Sequence, residues 1–115
     1  MSNGTKLQGS KSSKKLKAGY FTYEVLFQKN SDENHGETCT STKTIWINTR
    51  FSKQLQKETL FHEILHVTWE DCPLWDKSYD KQDDNEEEMV RFTSPRLLQI
   101  LDENPWLRAF LFSEK

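Results

Sequence analysis

The stretch TLFHEILHVTWE, residues 59–70, decides how this chain is read. Leu60, Phe61, Ile64, Leu65, Val67 and Trp69 make it apolar on nearly every side. The surrounding pattern predicts a helix from Ser52, a plausible N-cap, to about Asp71, with Pro73 as the stop. A helix that is apolar all round is expected inside a core. His62, Glu63 and His66 are the polar exceptions within it, and a buried polar cluster requires partners. A metal ion would be one.

The spacing of the three residues supports that reading. Two histidines four positions apart project from one helix face, one turn apart, and can bind the same ion. The glutamate between them then lies beside the metal, where it can accept a proton from bound water. His62 and His66 are therefore the candidate metal ligands and Glu63 the candidate catalytic base. The expected metal is Zn²⁺ and the expected chemistry hydrolysis.

Working outward, Tyr20 to Phe27 reads as a strand with Phe21, Tyr23, Val25 and Phe27 on one face. Residues 28–41 are polar and read as a loop. A second strand is expected at Thr42 to Thr49, with Ile45 and Ile47 pointing one way and Trp46 and Asn48 the other. The simplest pairing of the two is an antiparallel hairpin. Downstream, residues 76–88 (DKSYDKQDDNEEE) hold seven acids against two lysines and read as a loop running into a helix start, where acids are favoured. A helical apolar pattern continues from Met89 to Leu101. Pro95 interrupts it, which predicts either a kink or a second helix capped by Ser94. Asn104-Pro105 begins a last short helix through Phe112.

Length and composition bound the rest. A chain of 115 residues with 34% apolar and 30% charged side chains is expected to be one soluble domain of modest core, in which 14 aromatic residues carry much of the burial. No apolar run approaches membrane-spanning length. No secretory leader is recognisable either, so a cytoplasmic location is expected. Cys39 and Cys72 are expected to be free thiols there. Residues 1–18 carry Lys6, Lys11, Lys14, Lys15 and Lys17 and no acid, whereas the other 97 residues carry 11 basic and 18 acidic side chains. The first 18 residues read as a disordered basic tail ahead of a single domain at 19–115. Nucleic-acid binding by that tail rests on charge alone.

A catalytic zinc usually keeps three protein ligands and one open position. The long metzincin pattern would need Gly at position 69 and His at position 72, where this chain has Trp69 and Cys72. Cys72 and Asp71 are near enough to be considered, and so are Glu86, Glu87 and Glu88 on the next helix. Three adjacent residues project about 100° apart, so one helix cannot aim all three at one ion. Tyr79 and Arg91 are candidates for a second electrophile. Glu70, one turn beyond His66, is a candidate to orient its imidazole.

TLFHEILHVTWE, followed by EEEMVRF and SPRLLQIL-DENPWL, resembles short phage and bacterial metallopeptidase-like proteins, pared-down relatives of the ImmA/IrrE peptidases. The resemblance covers roughly residues 42–112. It implies an α+β minimal zincin: a small antiparallel hairpin or sheet packed on the HExxH helix and on a second helix with an acidic start. It also implies a gluzincin-like ligand set. With Leu97-Leu98 set against the family's LL pair, the third ligand falls on Glu87. The function implied is zinc-dependent cleavage of a peptide or protein substrate, in a host cytoplasm if the chain is phage-encoded. The alternative is a zinc-binding interaction module without turnover that binds or inhibits a host protein.

Overall fold

A computed structural model of the chain describes residues 7–31, 33–70 and 82–113. Its architecture is α+β, with a four-stranded mixed sheet and three helices. The strands are β1 (Leu7–Ala18), β2 (Phe21–Asn30), β3 (Gly36–Cys39) and β4 (Thr44–Asn48). They are followed by α1 (Lys53–Thr68), α2 (Gln82–Glu103) and α3 (Pro105–Leu111). Across the sheet the strand order is β1-β2-β4-β3, so β1 and β3 are the two edges.

The expected disordered tail is instead, over residues 7–18, the longest strand of the sheet. β1 pairs antiparallel with β2 from Leu7↔Asn30 to Ala18↔Phe21, with an irregularity between Gln8 and Lys11. Gly19 and Tyr20 form the turn, and Gly19 sits at φ 67°, as the first central residue of a primed hairpin turn requires. Leu16 is fully buried. The strand is also tied down from the helical side. Asn104, itself 2% exposed, accepts from the Lys17 N–H and donates to the Lys17 carbonyl, each at 2.9 Å. Residues 1–6 lie outside the described residues.

The hairpin expected between the two read strands is also corrected. β2 and β4 run parallel, from Glu24↔Thr44 to Gln28↔Asn48. The segment read as a loop contains β3, which pairs antiparallel with β4 from Gly36↔Ile47 to Cys39↔Thr44. β3 supplies the return path, and the β3–β4 hairpin then inserts β4 against β2. Its turn places Lys43 at φ 57°, a conformation a non-glycine residue adopts at some cost. Contacts offset that cost: Lys43 Nζ donates to Thr40 O at 2.8 Å and stands 4.3 Å from the centre of the Phe21 ring.

The core lies between the sheet and the helices. Tyr23 and Val25 from β2, Ile45 and Ile47 from β4, Leu60, Ile64 and Val67 from α1, Ile100 from α2 and Leu107 from α3 join Leu16. α1 starts as expected, with Ser52 Oγ accepting from Leu55 N–H at 3.2 Å. It is not buried all round, however. Its buried stripe is Gln56, Thr59, Leu60, Glu63, Ile64, Val67 and Thr68, while Phe61, His62 and His66 face solvent. α2 runs unbroken through Pro95, so no second helix begins at Ser94. The Ser94 hydroxyl donates back to Val90 O at 2.8 Å and Arg96 to Phe92 O at 3.0 Å, which partners carbonyls in the turn before the proline. α3 begins at Pro105, as the Asn-Pro pair predicted. Among the described residues no helix is long and apolar enough to cross a membrane.

Candidate metal centre

α1 holds His62 and His66 on its exposed face with their Nε2 atoms 3.2 Å apart and their ring centroids 4.8 Å apart. Two imidazole nitrogens bound to one tetrahedral zinc, each at about 2.0–2.1 Å, stand roughly 3.3–3.4 Å apart. The two donors therefore already have a separation that one ion can bridge. With no ion, the same approach is a ring-to-ring hydrogen bond in which one Nε2 carries the proton.

Glu63 points elsewhere, because one residue along a helix is a rotation of about 100°. It occupies the buried stripe at 8% exposure. A carboxylate there needs a partner, and β3 supplies it: the Thr38 hydroxyl donates to Glu63 Oε1. Glu63 thus has one oxygen held and one, Oε2, without a partner among the described residues.

Two residues bring β3 onto α1. Gly36 is the closest approach: a Cβ there would stand 2.7 Å from Thr59 Cγ2 and 2.7 Å from Trp46 O. Asn48 fixes the chain leading into β3. It is 1% exposed; its Oδ1 accepts from Asn30 N–H and Arg50 N–H, and its Nδ2 donates to Asn30 O and Asn34 O. Its backbone N–H donates to His35 O at 2.9 Å. The result is a cleft of about 450 Å³ whose walls include Glu33, His35, Glu58, His62 and Glu63. Three carboxylates give it an acidic character.

Sequence reasoning missed His35 and Thr38, because both fell in the polar stretch read as loop. His35 could have been noticed: the chain has three histidines, and this one precedes a glycine. Its ring meets Phe51 edge-on at a centroid distance of 4.5 Å. Cys39, next to Thr38, is exposed and free. Hydroxyl donors lower its pKa from 9.0 to about 7, first the Ser41 side chain and then that of Thr42.

The other predicted site residues are not drawn to the histidine pair. Glu86, Glu87 and Glu88 are exposed on α2. Glu87 pairs with Arg91 at 3.5 Å, an i,i+4 contact on the helix surface. Among the described residues no group of three or more His, Cys, Asp or Glu could hold a metal ion. The geometry thus provides two converging donors, without Glu87 as a third. Glu70 does not orient His66: it accepts from Tyr23 Oη at 2.8 Å and meets Lys43 Nζ at 3.5 Å, which ties the end of α1 to β2 and to the β3–β4 turn. Asp71, Cys72 and Tyr79 lie outside the described residues. No protein-family model matches this chain, and neither a curated protein nor a solved structure matches it.

Proposed function

We propose that the chain is a zinc-dependent hydrolase of peptide bonds, with His62 and His66 as metal ligands and Glu63 as the base. The observation that carries this reading is the 3.2 Å separation of the two Nε2 atoms, with one member of the pair, His62, lining the same cleft as Glu63. A bound zinc would supply Lewis acidity and a water whose pKa is lowered toward neutrality. The chain's own part is positioning and proton transfer. Thr38 holds one oxygen of Glu63 still, so the other is available to take a proton from the attacking water and pass it to the leaving amine. Glu87, the ligand that the family resemblance implied, would have to leave Arg91 to reach the pair.

β3 favours an extended peptide as the substrate. It is an edge strand beside the cleft, so its free side can hydrogen-bond an added strand. The carboxylates of Glu33 and Glu58 favour a cationic residue near the scissile bond.

The test is zinc content by mass spectrometry of metals, alongside turnover of a peptide library. Wild type and Glu63→Gln are expected to retain about one zinc per chain, with turnover falling by roughly 10²-fold or more in Glu63→Gln. His62→Ala is expected to lose the metal. Zinc retained by His62→Ala, or turnover surviving Glu63→Gln, overturns the proposal. Zinc with no turnover in wild type leaves the interaction module as the reading, and Glu87→Ala reports whether that carboxylate is recruited.

A further inference from the structure

Away from the histidine cleft, the inner face of the sheet is incompletely covered at the far end of β1 and β2. The hollow there has a volume of about 540 Å³, within the range of small-molecule sites, and lies between the sheet, the N-terminal end of α1 and α3. Its apolar wall is aromatic. Phe27 meets Trp106 edge-on at 6.4 Å between centroids and Phe110 at 5.3 Å, and all three rings are half-buried. The Trp106 indole N–H is already used, donating to Lys15 O at 2.8 Å, so the ring is held in place.

The polar wall is positive. Lys14 and Lys53 line the hollow, no acid does, and neither lysine has an ion-pair partner among the described residues. Lys53 Nζ lies 5.8 Å from the centre of the Phe110 ring. The first turn of α1 also carries no acid. A helix N-terminus bears a partial positive charge that Asp or Glu ordinarily neutralises, and here a lysine is added to it. The charged side chains lining this corner are therefore all basic, although the chain as a whole is acidic. Gln56 adds a directional group: it is 6% exposed, its Nε2 donates to Phe51 O, and its Oε1 has no partner among the described residues.

We propose that this hollow is a binding site for a small organic anion with a planar apolar body. The ring system of such a ligand would lie against Phe27, Trp106 and Phe110, and its carboxylate, sulfonate or phosphate would face Lys14 and Lys53. A hydroxyl or amino group on the body would donate to Gln56. This site is independent of the histidine pair, so it stands or falls separately from the hydrolase reading.

Two fluorescent probes test it on the full chain. One is 8-anilinonaphthalene-1-sulfonate and the other is N-phenyl-1-naphthylamine, which has the same body without the charge. The sulfonate is expected to bind at one site per chain and more tightly than the neutral compound, with affinity that weakens as salt is raised. Replacing both lysines, Lys14→Gln with Lys53→Gln, is expected to weaken it by about tenfold. Ala109→Trp, at an exposed position that lines the hollow, is expected to remove binding of both compounds. The lysine variants change only exposed side chains and carry the test if Ala109→Trp fails to fold. Equal binding of the two probes, sulfonate binding indifferent to the lysine changes, or no binding at millimolar probe overturns the proposal.

Discussion

The two edges of the sheet solve the same problem in opposite ways. β1 is twelve residues long and presents Lys14, Lys15 and Lys17 as exposed charges, with a register irregularity near its start. Charge and irregular pairing both discourage another strand from adding to a free edge. β3 is four residues long, Gly-Glu-Thr-Cys, and has neither lysine nor irregular pairing. One edge is protected and contributes to the core through Leu16. The other is short, carries the exposed Glu37, lies on the HExxH helix and borders the acidic cleft.

The largest expected effect breaks the claim that β1 belongs to the fold. Leu16→Ala is expected to destabilise the chain by about 2–5 kcal/mol in urea denaturation, because the side chain is fully buried. A disordered tail would give no change. A smaller effect is expected at the other edge. In Gly36→Ala the added Cβ meets both the Trp46 carbonyl of β4, which cannot rotate away, and the Thr59 methyl of α1, so β3 must shift from both at a cost of roughly 1–3 kcal/mol. That shift also withdraws Thr38 from Glu63, so turnover should fall further than stability does. Unchanged stability would mean that β3 does not approach α1 this closely. The smallest effect concerns chemistry at the short edge. In a Cys72→Ser background, the rate of Cys39 alkylation by iodoacetamide is expected to rise with pH about a midpoint near 7. The Ser41 hydroxyl favours the thiolate, so Ser41→Ala should move the midpoint upward. A midpoint near 9.0 in the parent would remove the hydroxyl donors from the account.

What was legible in the sequence depended on how many constraints acted on a residue locally. The Ser52 cap, the Asn104-Pro105 helix start and the alternation of Tyr23 with Val25 and of Ile45 with Ile47 each follow from rules confined to a few neighbours. β1 escaped because an edge strand buries little: over residues 12–18 Leu16 is buried among exposed lysines, and the Gly19-Tyr20 turn was the punctuation that marked its end. β3 escaped because Gly-Glu-Thr-Cys is too short to hold an apolar alternation. Its identity comes from β4 on one side and α1 below. Parallel pairing of β2 with β4 escaped because it depends on where β3 carries the chain between them.

The sequence by itself determined a helix with two histidines on one face and a glutamate one position, about 100° of rotation, on from the first, because helical rotation is fixed by the backbone. Tertiary structure alone decided which of those faces is wet. Packing buried Glu63 under Thr38 and left His62 and His66 exposed, the reverse of what an apolar helix suggested for the pair. It also kept Glu87 on Arg91, away from the histidines. The physical reason is that a helix has one direction toward the core, and only the sheet and its edge strand determine which side that is.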